Sequence, residues 1–140
     1  MSPKPSISGA RQVRALHWIY DEARLIKLGD AIQTALEETL GIPPEDYFRI
    51  YQVLPSNRYV HTPGFLGLTY TDDLIMLEIT FIAGRRGDAR LTLLRAINER
   101  VVSAVGISPD DLAIMVYETA GENISFGRGE AQRAHIGASS

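Results

Sequence analysis

One short motif occurs twice in this chain, and it constrains the fold more than any other feature. The first copy is Gly41-Ile42-Pro43-Pro44-Glu45-Asp46, and the second, Gly106-Ile107-Ser108-Pro109-Asp110-Asp111, follows about 65 residues later. Apolar residues with helical spacing come before each copy, and a strand-like apolar run follows each copy. The chain is therefore predicted to use one strand-helix-strand unit twice.

The first unit is predicted to span about residues 10–54. Alternating apolar residues predict a strand from Ala10 to Ile19, and the run Tyr47 to Leu54 predicts a second strand. Between them we expect a helix that Asp21 caps at its start and that Gly41 ends in a left-handed conformation.

The second unit is predicted to span about residues 74–118. Its first strand, Leu74 to Ile82, is apolar at nearly every position, which is typical of a strand covered on both faces or buried at an interface. A helix ending at Gly106 and a strand from Leu112 to Glu118 complete the unit. The long loop between the two units is expected to contain a short hairpin near Gly64.

Two such units combine into one four-stranded mixed sheet with both helices on one face, because right-handed crossovers join each parallel pair. This predicts an α+β fold in a single domain, residues 10–140, behind a polar, proline-rich extension at residues 1–9. The 140 residues, 45% of them hydrophobic, suffice for a core. A strand as apolar as Leu74 to Ile82 cannot leave one face in water, so we expect a closed homotrimer.

Composition argues against several classes of function. The net charge of −3 and the pI near 5.6 provide no basic surface for nucleic acid or an anionic membrane. The absence of cysteine excludes disulfides and thiolate metal sites, and the three histidines lack the spacing of metal ligands. No apolar stretch has the length of a membrane span or the character of a signal peptide, so we expect a cytoplasmic protein.

Several motifs together resemble the tautomerase superfamily, and within it the malonate semialdehyde decarboxylase-like group. They are the Gly-Ile-Pro-Pro-Glu-Asp step, a strand ending in Ala83-Gly84-Arg85, and the run Ser125-Phe126-Gly127-Arg128-Gly129-Glu130-Ala131-Gln132. The resemblance extends from about Ala10 to about His135. It implies a homotrimer with three sites that act on small keto, enol or unsaturated carboxylic acids without metal or organic cofactor.

The catalyst of that family is an amino-terminal proline, and this chain departs from the pattern. The proline position falls on Ala10, which nine residues precede. A free α-amino group titrates near 7.7–8.0 and can shuttle a proton, whereas the nitrogens of the internal Pro3 and Pro5 are not basic. Unless the chain is processed, the usual catalyst is expected to be absent.

Asp46 matches the family aspartate that orients water or polarises substrate. The alternative is a structural role in the turn after Pro43-Pro44. Asp111 occupies the equivalent place in the second unit, where the family has no catalytic role. A structural role predicts both aspartates, and a catalytic role predicts one, so both interpretations stay open.

Arg85 and Arg86 lie between a buried strand and a helix start, where backbone amides and the helix dipole favour an anion. A guanidinium binds a carboxylate through two parallel hydrogen bonds, so this is the predicted docking point of a small acid. Related decarboxylases carry two arginines here with a residue between them, which makes Arg85 the closer match. The alternative is that both are solvated turn residues.

Phe126 matches an aromatic residue of the family's apolar wall around the site, and ordinary packing is the alternative. Ile124 stands where decarboxylase-like members have tryptophan, which predicts a larger pocket or weaker desolvation.

Two functions stay open for this chain. One is a cofactor-independent isomerase or decarboxylase with an unidentified base, for which His61 is one candidate. The other is an inactive trimeric relative that binds a small carboxylate or is purely structural.

Overall fold

The structure is a computed structural model, and it describes residues 10–16, 19–45, 47–82 and 87–136. The described residues form two helices and six strands. In chain order these are β1 Ala10–Leu16, α1 Glu22–Leu40, β2 Phe48–Leu54, β3 Gly64–Phe65, β4 Leu68–Thr69, β5 Ile75–Ile82, α2 Gly87–Val105 and β6 Leu112–Thr119.

The long strands form one mixed sheet in the order β2-β1-β5-β6. β1 is parallel to β2, β5 is parallel to β6, and the two pairs join through an antiparallel contact between β1 and β5. The predicted architecture of two strand-helix-strand units in one four-stranded sheet is confirmed. β5 occupies an interior position, which agrees with its apolar sequence.

The core lies between the two helices and one face of the sheet. Alternate strand residues such as Val13, Leu77 and Ile79 are buried there, in keeping with the two-residue period of a strand. The helices contribute residues at helical spacing, namely Leu28, Ile32, Leu36, Leu93, Ile97 and Val101.

The opposite face of the sheet carries neither of the two described helices and is partly apolar; we call it the helix-free face. Phe48, Ile50 and Tyr117 are each about half exposed on it. Near its centre, Arg14 of β1 forms a 3.1 Å ion pair with Glu78 of β5. A monomer would leave these apolar side chains in water.

The predicted ends of the helices are confirmed. The Asp21 side chain accepts a 2.9 Å hydrogen bond from the Arg24 backbone N–H at the start of α1. Gly41 and Gly106 follow the two helices with φ of 66° and 78°, a conformation that glycine adopts without a steric penalty. Neither described helix is long and apolar enough to cross a membrane.

The first strand is shorter than predicted, and the hairpin near Gly64 is confirmed. β1 ends at Leu16, whose carbonyl accepts hydrogen bonds of 3.2 Å from the backbone N–H groups of Ile19 and Tyr20. The buried Tyr20 hydroxyl also donates to the Asp73 carbonyl at 2.6 Å, so a turn replaces the predicted end of the strand. Residues 17 and 18 lie outside the described residues.

Candidate functional site

Three strand ends meet at one edge of the sheet. Ala10, the first residue of β1, lies opposite Phe48, the first residue of β2, and opposite Thr80 of β5. Because β5 runs antiparallel to β1, its carboxyl end at Ile82 lies at this same edge. The starts of β1 and β2 and the end of β5 define what we call the Ala10 edge.

An aromatic pair covers part of the Ala10 edge. The rings of Phe48 and Phe126 are stacked, with centroids 5.6 Å apart and planes inclined by 24°. Both rings remain partly exposed, at 49% for Phe48 and 40% for Phe126. Offset stacks of this kind combine an apolar surface with a defined geometry, so the pair forms one wall beside the start of β1.

The segment after β6 brings Phe126 to this edge. Ile124 is partly buried and packs against the core, while the backbone N–H of Gly121 donates to the Ile136 carbonyl at 2.7 Å. The chain therefore folds back on itself between residues 121 and 136. Ile124, which stands where decarboxylase-like members have tryptophan, therefore packs against the core with a smaller, aliphatic side chain.

Two arginines lie next to the Ala10 edge on the helix side of the sheet. Arg11 of β1 and Arg49 of β2 are direct neighbours in the parallel pair, and Arg11 is only 4% exposed. Arg49 forms a 3.8 Å ion pair with Asp30 and stacks 5.0 Å over the Tyr47 ring. Both arginines lie on the face of the sheet opposite the Phe48–Phe126 pair, so they contribute to the packing under α1 rather than to the aromatic wall.

Sequence reasoning missed Phe48, Arg11 and Arg49 as residues of this region. Each one appeared as an ordinary member of a strand with alternating residues. The usable signal is the register between β1 and β2, which brings the first residues of both strands together. That register depends on long-range pairing rather than on any local pattern.

The repeated motif has a structural role in its second copy. Asp111 is 1% exposed, and its carboxylate accepts hydrogen bonds from the backbone N–H of Thr71 at 2.8 Å and from the Thr71 hydroxyl at 2.6 Å. Nearby, burial and then the charge of Asp111 raise the pKa of Tyr59 to about 12. Asp111 thus anchors the loop between the two units.

The predicted site residues divide into two groups. Ala10, Ile124 and Phe126 belong to the part of the chain that the structure describes, and Ala10 and Phe126 come to the same edge through Phe48. Asp46, Arg85 and Arg86 lie outside the described residues. In the sequence, Asp46 directly precedes Tyr47, and Arg85 and Arg86 follow β5 by three and four residues.

His61 lies toward the other end of the sheet. It follows β2, which ends at Leu54 beside Leu16, and it packs edge-on against Tyr59 and Tyr70 with ring centroids 5.7 and 6.0 Å apart. An open cavity of about 360 Å³ lies beside it. Since β1 spans about 20 Å at 3.3 Å per residue, His61 cannot reach the Ala10 edge of its own subunit.

Metal ligation finds no support in the described ranges. Within residues 10–16, 19–45, 47–82 and 87–136, no group of three His, Asp or Glu side chains could hold a metal ion. What the described residues of the Ala10 edge offer is an aromatic wall, while the two arginines lie on the other face of the sheet. Such a wall is suited to the apolar part of a small organic ligand.

Solved structures with the same arrangement define the class of protein. A malonate semialdehyde decarboxylase superposes with a TM-score of 0.80 at 21% identity, over 90% of this chain and 96% of that chain. The FG41 malonate semialdehyde decarboxylase inhibited by 3-bromopropiolate superposes with a TM-score of 0.79 at 24% identity, over 88% and 92%. The fold is therefore the tautomerase fold of two strand-helix-strand units.

Sequence comparison defines the family more narrowly. The family model described as "Tautomerase enzyme" matches residues 46–127. "Probable tautomerase YusQ" of Bacillus subtilis (strain 168) is 31% identical over 111 residues, 79% of this chain and 87% of the relative. "Probable tautomerase YrdN" of the same strain is 30% identical over 112 residues, 80% of this chain and 86% of the relative. This chain belongs to the tautomerase family.

Proposed function

We propose that this chain is a cofactor-independent enzyme that isomerises or decarboxylates a small oxo or enol carboxylic acid. The observation that carries the proposal is the Ala10 edge, where the Phe48–Phe126 stack lies beside the starts of β1 and β2. The likeness to malonate semialdehyde decarboxylases supports the substrate class, because malonate semialdehyde is itself a small oxo acid.

Binding is assigned to the arginines that follow β5. Arg85 is proposed to hold the substrate carboxylate through a bidentate pair, with Arg86 as a second cation. Phe126 and Ile124 would form apolar surface against the rest of the substrate, where exclusion of water strengthens the ionic contact.

Proton transfer requires a base and an acid within reach of the substrate carbon. In this sequence the nitrogen of Ala10 belongs to a peptide bond, which is not basic, so it cannot replace an amino-terminal proline. Asp46 is proposed to position a water molecule or polarise the substrate. The base itself is unidentified, and within one subunit the distance to His61 excludes that histidine.

The assembly is proposed to be a homotrimer with three sites. Fused 4-OT proteins of the same fold, with TM-scores of 0.72 and 0.70, form symmetric and asymmetric trimers. The partly apolar, helix-free face of the sheet gives a physical reason for such an assembly here.

A second candidate function follows from the absence of a basic nitrogen at Ala10 in this sequence. If no other group supplies the base, the protein would be a trimeric relative that binds a small carboxylate without turning it over. Binding without turnover separates this function from the enzymatic one.

Assays with phenylpyruvate enol and malonate semialdehyde test the proposal. Wild type is expected to convert at least one of them, Arg85→Ala to raise KM by more than tenfold, and Asp46→Ala to lower kcat by about 100-fold. Arg95→Ala, which removes an exposed arginine from α2, is the charge-matched control and should change neither constant.

The outcomes separate the two functions. A wild type that is inert toward both compounds, yet binds malonate in calorimetry with an affinity that Arg85→Ala abolishes, would support the inactive relative. A wild type that neither binds nor turns over these acids would refute both functions, whereas an Arg85→Ala variant equal to an active wild type would refute the role assigned to Arg85.

A further inference from the structure

The Gln132 side chain bridges two backbone groups of the loop that carries Phe126. Its Oε1 accepts a hydrogen bond from the backbone N–H of Phe126 at 3.0 Å, and its Nε2 donates to the carbonyl of Gly127 at 3.0 Å. One side-chain amide therefore binds the N–H of Phe126 and the C=O of Gly127, the two groups that flank the peptide bond between these residues. Glutamine is suited to this task because its side chain carries an acceptor and two donors.

Ser125 reinforces the same closure from the other side. Its hydroxyl donates to the Gly127 carbonyl at 3.0 Å and accepts from the Gly127 backbone N–H at 3.3 Å. The Gly127 carbonyl thus accepts from the side chains of Ser125 and Gln132, and also from the Glu130 backbone N–H at 3.2 Å. These bonds hold the backbone on both sides of Phe126.

The loop needs such a closure because its backbone is otherwise unfavourable. Arg128 adopts a left-handed conformation with φ of 61°, between Gly127 at 150° and Gly129 at 68°. A side chain in this region costs free energy that a glycine would not. Gln132 supplies the side chain that binds the Phe126 backbone N–H directly, so loss of its bonds should loosen the position of Phe126.

The position of Phe126 is what matters at the Ala10 edge. Its ring is stacked on Phe48, and Phe48 is the register partner of Ala10. Both rings are partly exposed, so packing alone does not confine the Phe126 ring. A small displacement of the loop would open the aromatic wall.

We propose that Gln132 is a positioning residue that holds Phe126 against Phe48 and thereby shapes the apolar wall of the acid-binding site. This inference rests on the proposed function for its consequence in substrate binding, but the positioning itself can be tested without any substrate. Gln132 acts through Phe126 and does not contact substrate.

The substrate-free test uses the full-length protein. Nuclear Overhauser contacts between the rings of Phe48 and Phe126 are expected in wild type and lost in Gln132→Ala. Hydrogen exchange at the Phe126 amide should quicken about fivefold in that variant, because its hydrogen bond to Oε1 is gone. Glu130→Gln changes an exposed side chain of the same loop and should leave both signals unchanged.

Two further variants keep the test informative if Gln132→Ala folds poorly. Gln132→Glu keeps an oxygen for the Phe126 N–H but loses the donor to Gly127, so it should retain part of the ring contact. Ser125→Ala removes one partner of the Gly127 carbonyl, which keeps the Gln132 amide and the Glu130 backbone N–H, and should weaken the ring contact less than Gln132→Ala does. Ring contacts that survive in folded Gln132→Ala would overturn the proposal, as would a Gln132→Glu variant that behaves like Gln132→Ala.

Kinetics with phenylpyruvate enol distinguish a positioning role of Gln132 from a general effect on stability. Gln132→Ala should raise KM by about tenfold while kcat changes less than threefold, because the wall contributes to binding rather than to proton transfer. A tenfold loss of kcat with KM unchanged would overturn the role in binding. Lost ring contacts in a protein whose wild type is inert would instead support the positioning role and refute the proposed function.

Discussion

Phe126 and Phe48 are far apart in sequence, yet they form the aromatic wall of the candidate site. Each is partly exposed, and because the two rings are stacked they form a joint apolar patch rather than two isolated exposed side chains. Arg11 and Arg49 are also distant in sequence and become neighbours only through the pairing of β1 with β2. At the scale of single residues, the site is assembled by neighbours that the chain does not place side by side.

Phe126→Ala should weaken binding more than it weakens the fold. Loss of the stack is expected to cost about 1 kcal/mol of unfolding free energy, while KM for phenylpyruvate enol rises severalfold because apolar contact is lost. Urea denaturation and steady-state kinetics on one preparation measure both effects. Phe65→Ala, which removes an exposed ring from β3, is the matched control and should leave KM unchanged. A larger effect on KM from Phe65→Ala than from Phe126→Ala would contradict this assignment.

The Tyr51 side chain of β2 packs directly over Gly29 of α1. A Cβ atom built on Gly29 would overlap the Tyr51 hydroxyl oxygen and would lie 3.2 Å from the Tyr51 Cζ. A side chain at residue 29 would therefore require Tyr51 to shift, so glycine is favoured here by packing rather than by its backbone angles.

Gly29→Ala should destabilise the protein by about 2 kcal/mol, because the extra methyl group forces the Tyr51 side chain to shift. Tyr51→Phe removes the hydroxyl that causes the overlap, so the double variant should recover part of the loss. Thermal denaturation of the two single variants and the double variant measures this coupling. Strictly additive losses would show that the close approach at Gly29 is not the cause.

One face of the sheet is covered by neither of the two helices in the part of the chain that the structure describes. Ile50 and Tyr117 on the helix-free side of the sheet are each 48% exposed, and Arg14 and Glu78 pair between them. A trimer that covers this face would bury the apolar side chains together with the Arg14–Glu78 ion pair. Covering this face is therefore the physical reason for the proposed trimer.

Ile50→Glu is expected to convert the proposed trimer to monomers, because it places a charge within the apolar part of that face. Light scattering after size exclusion gives the molar mass directly. Ile26→Glu is the matched control, since Ile26 is 60% exposed on α1 and lies away from the helix-free face. Trimers that persist in Ile50→Glu, or that are lost equally in Ile26→Glu, would argue against this face as the interface.

Much of the fold could be predicted from the sequence because its signals are local. The repeated motif located both helix ends, the cap at Asp21 and the glycines at 41 and 106 followed from backbone chemistry, and the apolar run of β5 predicted an interior strand. The end of β1 was predicted too late, since the turn at Leu16 depends on the long-range bond from Tyr20 to Asp73. Asp46, Arg85 and Arg86 remain predictions from resemblance.

The sequence by itself determined the two units, their order and the family to which they belong. Only the tertiary structure decided that Phe48 faces Ala10, that Phe126 stacks on Phe48, and that Asp111 anchors a loop. The physical reason is that propensity, capping and hydrophobic period act over a few residues, whereas strand register and the return of the segment after β6 depend on contacts between distant parts of the chain.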